Sequence, residues 1–152
     1  MSSARMTPAP TRRINEVARG EVLPAIDFPI TVYRLVMEAG ANRDFNSIHH
    51  NSEYACATGA PEMYANTLFL MGMWERCVRN WAGSGAVITR IRRFRMHRFN
   101  VAGSITTVRG SVTNVDRTTG EVTIELACED EHGVTVGPGE IVMRLPGGTK
   151  SA

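Results

Sequence analysis

The sequence predicts an α+β domain in which an antiparallel sheet carries its helices on one face. Three observations predict it. One long apolar helix lies mid-chain, over residues 65–81. The hydrophobic period changes from helical to alternating at Gly85. Four alternating segments follow, about 10–15 residues apart from turn to turn.

Residues 20–29 read as a short strand or extended arm, interrupted by Pro24 and closed by Pro29. Thr31 can cap a short helix. Val32, Leu35, Val36 and Ala39 then fall at i, i+3, i+4 and i+7, one helical face, and Gly40 supplies the stop. A polar loop around Asp44 follows, and Asn51 or Ser52 caps a brief helix through Ala57, ended by Gly59. Asn66 or Thr67 caps the long helix, and Gly83 lies just beyond its end. Leu68 to Trp74 are apolar on every side, which implies burial on most sides. Beyond them Leu70, Trp74, Cys77, Val78 and Trp81 keep one stripe while Arg76, Arg79 and Asn80 turn outward. At 1.5 Å per residue this helix runs ~25 Å, about the width of a small sheet.

In the second half Val87, Thr89 and Ile91 alternate, then Phe94 and Met96 alternate in the opposite phase. A slip between Arg92 and Arg93 suggests a β-bulge. Ala102-Gly103-Ser104 is a turn, and residues 105–115 form a strand with Val108 and Val112 on one face. Asp116 to Gly120 is a hairpin loop, after which Val122, Ile124, Leu126 and Cys128 alternate with Thr123, Glu125 and Ala127. Glu131-His132-Gly133 turns the chain into a last strand with Ile141, Met143 and Leu145, its approach broken by Gly137-Pro138-Gly139. A curved antiparallel sheet wrapped around a long central helix, the hot-dog arrangement, satisfies this order. Such a sheet leaves an edge strand needing cover, so a dimer that joins two sheets is the expected assembly.

The 152 residues make one domain, over 14–146, between a disordered tail at 1–13 and another at 147–152. A chain of this size buries roughly two-thirds of its unfolded surface. The net charge of +2 is too small to argue for nucleic acid. Arg90, Arg92, Arg93, Arg95 and Arg98 cluster within nine positions. They read as a solvated strand face or as a surface that meets an anion, such as the phosphates of a coenzyme. Phe94 and Phe99 alone are thin support for RNA binding, which wants aromatics interleaved along a face. Cys56, Cys77 and Cys128 are odd in number and lack CxxC spacing, so neither a metal site nor a disulfide framework is expected. A reducing cytoplasm fits. The N-terminus has no apolar run of the signal-peptide kind, and no stretch of 18 apolar residues exists to span a membrane.

Residues 43–55 carry the chemistry. They place a carboxylate (Asp44), a carboxamide (Asn46) and an imidazole (His49) within six residues, ahead of the apolar helix. A carboxylate and an imidazole that share one water can move protons on and off carbon, and histidine titrates near neutral pH. The plainer alternative is an N-cap aspartate and a surface histidine, with Asn46 a turn former. His50 faces away, and His97 and His132 read as strand and turn surface. Met37, Met63, Met71 and Met73 read as core filler, although Met71 and Met73 would line a bulky pocket.

Asp44-Phe45-Asn46-Ser47-Ile48-His49 resembles the Asp-x-Asn-Pro-x-His signature of the MaoC-like (R-specific) enoyl-CoA hydratases, with His50-Asn51 and Ala55 in its extension. Ala102-Gly103-Ser104 resembles the family's Pro-Gly-Asp turn, and the likeness covers roughly residues 20–145. More narrowly, Arg43 to Phe45, His49-His50, Asn66, Gly72, Arg76, Val78 and Trp81-Ala82-Gly83 resemble the small catalytic subunit of steroid side-chain enoyl-CoA hydratases, which work with a second MaoC-like chain. The resemblance implies reversible hydration of a 2-enoyl-CoA. Asp44 and His49 would hold and deprotonate water, and Asn46 would orient Asp44 or the water. Asn66, Met71 and the backbone of Thr67 would meet the substrate, the Thr67 N–H at the thioester oxygen. It implies no cofactor apart from coenzyme A as part of the substrate, and either a homodimer or a heteromer. Three departures stand out: Arg43 replaces a glycine, Ser47 replaces a proline, and Asn66-Thr67 replaces a His-Gly pair, crowding the approach to the thioester. A non-catalytic assembly subunit and a hot-dog thioesterase using Glu75 are the rival expectations.

Overall fold

Residues 10–147 are described by a computed structural model. Its first helix, α1 (Val32–Asn42), starts where Thr31 Oγ1 accepts from the Arg34 amide at 3.2 Å. It does not stop at Gly40. Arg43 closes it in the left-handed region at φ 55°. The Arg43 amide then reaches the Gly40 carbonyl and the Asp44 amide the Ala39 carbonyl, the paired closure of a Schellman end. The buried face also differs from the expected stripe. Leu35, Glu38 and Ala39 are buried, while Val32 and Val36 are exposed.

Helix α2 (Ser52–Ala57) is capped by Asn51, which accepts from Tyr54 N, and Gly59 follows at φ 96°. The central helix α3 (Thr67–Ala82) is capped by Asn66, whose side chain accepts from Phe69 N at 2.8 Å. It buries Leu70, Met73, Trp74, Cys77, Val78 and Ala82. Its first turns are not covered all round, however. Leu68 is 56% exposed and Gly72 is exposed beside it.

Five strands form one antiparallel sheet: β1 (Ile26–Pro29), β2 (Val87–Arg92), β3 (Ile105–Asp116), β4 (Glu121–Asp130) and β5 (Gly133–Arg144), in the order β1-β3-β4-β5-β2. Of the arm over 20–29, only Ile26–Pro29 is the edge strand β1, while Val22 makes an isolated bridge to Ser111. Consecutive hairpins account for β3-β4-β5 but not for β2, which pairs with β5 at the far edge. There Arg90 bonds Glu121 and Arg93 bonds Glu140 at 2.6 Å, so much of the arginine cluster is an ion-paired strand face. Arg92 and Arg95 have no ion pair among the described residues. The slip at Arg92-Arg93 is a strand end rather than a bulge, because Arg93 turns left-handed at φ 54°. The register shift within β2 lies between Ile88 and Arg90. Gly137-Pro138-Gly139 does not break the last strand either. It lies inside β5, where a Cβ on Gly139 would come within 2.6–2.7 Å of the Arg93 and Arg92 carbonyls.

β4 alternates as expected, whereas β5 buries Ile141, Val142 and Met143 in succession. Val108, Val112, Val122, Ile124, Leu126, Cys128, Ile141 and Met143 are buried around α3. Trp74 sits at the centre, its indole N–H on Cys128 Sγ at 3.2 Å and its ring edge-on to Phe94. Of the expected tails, residues 1–9 and 148–152 lie outside the described residues. Residues 10–13 are fastened to the domain. The Arg12 amide bonds the Ala82 carbonyl at 2.9 Å, and its guanidinium lies 4.7 Å from the Trp81 ring and pairs with Glu21. Among the described residues no helix is long and apolar enough to cross a membrane.

Candidate active site

The Schellman end of α1 delivers Asp44, and a short 3-10 turn over Ser47–His49 delivers the imidazole. Asn46 builds that turn, its Oδ1 accepting from Ile48 N at 3.2 Å. The result places His49 Nε2 3.2 Å from Asp44 Oδ2. His49 is buried and Asp44 partly open, their side chains 6% and 38% exposed.

The tautomer follows from the other ring nitrogen. His49 Nδ1 lies 2.7 Å from the Tyr64 carbonyl, which can only accept. Nδ1 therefore carries a hydrogen, and Nε2 is the nitrogen that faces Asp44. The Tyr64 ring meets His49 edge-on and packs on Phe99 at 4.4 Å, walling the site. Burial first, and the Asp44 charge second, push the Tyr64 phenol above its ordinary value, so it keeps its proton.

Asp44 is gripped from the helix side as well. Asn66 Nδ2 donates to Asp44 Oδ2 at 3.1 Å, while Asn66 Oδ1 caps α3 through Phe69 N. Behind Asn66 lie Asn42, whose Nδ2 donates to Asn66 Oδ1 at 3.4 Å and to Glu38 Oε2 at 3.1 Å, and Glu38, whose Oε1 accepts from Asn66 N at 3.2 Å. Burial pushes the Glu38 carboxyl above its ordinary range, against the opposing pull of these two donors.

Asp44, Ile48, His49, Tyr64, Asn66, Thr67, Leu68, Met96 and Phe99 line a cleft of about 330 Å3. Thr67 opens α3 at its mouth with Oγ1 turned to Met96 Sδ at 3.5 Å. The first amides of a helix have no partner within it, and those of Thr67 and Leu68 find no acceptor among the described residues.

Asp44, His49, Asn66 and Thr67 thus meet in one place. Asn46 does not join them. It is exposed and serves the turn. Met71 lines neither this cleft nor the larger groove of about 760 Å3 beyond Leu68, because a helix apolar on several sides does not announce which side is open. Met96 takes its place, from the segment after β2. Sequence reasoning also missed Glu38, Asn42 and Tyr64. Glu38 had one signal, a carboxylate three residues after Leu35 and next to Ala39, on the face that turned out to be buried.

No family model matches the chain. It is 36% identical over 72 residues to the 3-oxo-4,17-pregnadiene-20-carboxyl-CoA hydratase beta subunit of Mycobacterium tuberculosis. That match spans 47% of this chain and 56% of the relative. A chain of the ChsH1-ChsH2 complex from Mycobacterium tuberculosis superposes with a TM-score of 0.80 and 29% identity, over 85% of this chain and 98% of that one. The present chain has the fold of that structure, a curled antiparallel sheet around a central helix, which is the hot-dog arrangement. The (R)-hydratase from A. caviae involved in PHA biosynthesis shares that fold, with a TM-score of 0.78 at 17% identity over 86% of this chain and 98% of its own. The likeness to MaoC-like hydratases that the sequence suggested therefore holds, with these proteins sharing its helix and its curled sheet.

Proposed function

We propose that the chain is a hydro-lyase that adds water reversibly to a 2-enoyl-CoA and works beside a second hot-dog chain. The observation that carries this reading is the Asp44–His49 pair, 3.2 Å apart in a cleft that opens on the first turn of the central helix. A water held between Asp44 Oδ2 and His49 Nε2 loses a proton to the pair as its oxygen bonds to C3 of the enoyl group. The π electrons move to C2 and the thioester oxygen, and the pair returns a proton to C2. The sum is H and OH added across one double bond, with coenzyme A as part of the substrate. A positioned acid–base group contributes about 10²–10⁴ in rate. The amides at the start of α3 suit the negative charge that develops on the thioester oxygen, and such a donor is worth ~3–4 kcal/mol where it has been removed from an enzyme.

The exposed apolar side chains of Val32, Tyr33, Val36, Met37, Phe45 and Leu68 support a covering partner chain. The beta-subunit relative and the two-protein complex support a heteromer, and the relative's name favours a steroid side-chain acyl group. Those two likenesses also favour a second reading, a subunit whose partner performs the chemistry. A thioesterase loses its candidate acid, because Glu75 is exposed, pairs with Arg79 at 2.6 Å and lines no part of the cleft.

The test is loss of enoyl absorbance with the purified chain, alone and with a second MaoC-like chain. Asp44→Asn should lower turnover by about 10²–10⁴ while the melting temperature stays put. Full activity of Asp44→Asn in the two-chain assembly would transfer the chemistry to the partner.

A further inference from the structure

The single carboxylate of α1 does nothing in the acid–base scheme above, yet it ends a continuous chain of hydrogen bonds that begins at the Asp44–His49 pair. Glu38 is 6% exposed. Each of its oxygens accepts one N–H: Oε1 from the Asn66 backbone at 3.2 Å, Oε2 from Asn42 Nδ2 at 3.1 Å. A buried carboxylate is expensive unless it is hydrogen-bonded, and a solvent-facing helix position would have spared that cost.

The orientation of each amide along the chain is fixed by its neighbour. Glu38, when ionised, is an acceptor only, so it must face the NH2 of Asn42 rather than its oxygen. Asn42 then turns that NH2 to Asn66 Oδ1 at 3.4 Å. The Phe69 amide, 2.8 Å away, demands the same oxygen of Asn66. Only the Asn66 NH2 is left for Asp44 Oδ2, at 3.1 Å. The same carboxylate oxygen lies against His49 Nε2. Were either amide reversed, an oxygen would oppose a carboxylate and Asp44 would swing from the histidine.

We propose that Glu38 is a positioning residue of the active site, which through Asn42 and Asn66 holds Asp44 Oδ2 against His49. The proposal rests on the hydratase reading only for the name of the reaction, because the geometry it explains is that of the pair itself. The charged groups facing Glu38 are Asp44, whose charge raises its pKa, and His49, which lowers it. Asp27, Arg34 and Arg76 line the groove on its open side.

Two measurements test it, one of which needs no substrate. The first is the His49 ring titration followed by NMR in the full chain. Glu38→Gln presents an NH2 to one of two donors, so one bond of the chain is lost and Asp44 is held less firmly against His49. The His49 midpoint should fall by half a unit or more. Asn42→Ala, which removes the middle link from a half-buried position, should shift it in the same direction. Because removing the Glu38 charge acts on His49 directly, the neutral Asn42→Ala decides: a midpoint within a tenth of a unit of wild type in that variant would overturn the proposal, whatever Glu38→Gln does. The second is steady-state hydration of an enoyl-CoA by the two-chain assembly. Glu38→Gln should lower kcat at least tenfold with KM changed less than twofold, and Glu38→Asp should recover part of the loss. A loss in KM alone would assign Glu38 to substrate binding and overturn positioning. If wild type does not hydrate any enoyl-CoA, the function proposed above fails, and the titration alone decides the role of Glu38.

Discussion

Across β3, β4 and β5 the chain is held by backbone ladders over an aliphatic face, whereas from α1 to the start of α3 it is held by side chains that bond caps and one another. In the sheet, burial of Val122, Ile124, Leu126 and Cys128 is repeated along one strand, and no single polar contact decides the fold. In the site region, Glu38, Asn42, Asn66 and Asp44 each depend on the next through one hydrogen bond. A hydrogen bond adds about 0.5–1.5 kcal/mol net, but a buried group left without its partner costs about 1–3 kcal/mol. The sheet therefore spreads its stability over many equivalent contacts, and the site concentrates its geometry in few.

The sharpest way to break the comparison is at the centre of the core. Trp74→Ala should cost about 3–5 kcal/mol in urea unfolding, where Asp44→Asn costs turnover and leaves stability almost untouched. A mutant at Asp44 that unfolds as readily as one at Trp74 would erase the distinction. Asn66→Ala lies between the two. Losing the cap should cost about 0.5–2 kcal/mol, and hydration should fall at least tenfold because Asp44 loses its donor. Wild-type turnover in that variant would unlink the cap from the site.

Glu38 sharpens the comparison through pH. Its carboxyl is raised in the folded chain by burial, so the folded state binds that proton more tightly than the unfolded state. The stability it contributes is full below the ordinary carboxylate value and is lost as pH rises through the raised one. Thermal melts of wild type relative to Glu38→Gln should show this decline across the mildly acidic range, then a plateau, and parallel curves would contradict it. The smallest effect is expected at the sheet edge. Arg90→Ala removes a bond to Glu121 that is largely solvent-exposed, and such pairs contribute about 0–1 kcal/mol.

What could be read before the structure follows the same division. The stripe and caps of α3 and the alternation of β4 were legible because burial repeats at a fixed period. That Asp44 and His49 lie together was legible less from the polar loop alone than from its likeness to a known signature ahead of a buried helix. The place of β2 was not, since spacing between strands says nothing about a crossover, and only its pairing with β5 puts it at the far edge. Gly137 to Gly139 looked like a break because glycine and proline weaken strands, yet the close approach of the Arg92 and Arg93 carbonyls demands a residue without a side chain. Glu38 and Asn42 were invisible because a single carboxylate on a short helix reads as solvated, and what buries it comes from residue 66, far along the chain.

Arg43 stands between the helix that carries Glu38 and the loop that carries Asp44, with a backbone at φ 55° that few side-chain-bearing residues adopt. Replacing it by glycine would relax that torsion by as much as ~1 kcal/mol, although the freer unfolded chain offsets part of the gain. The joint beside Asp44 is thus a place where evolution or an engineer can retune rigidity without altering any atom of the Asp44–His49 pair.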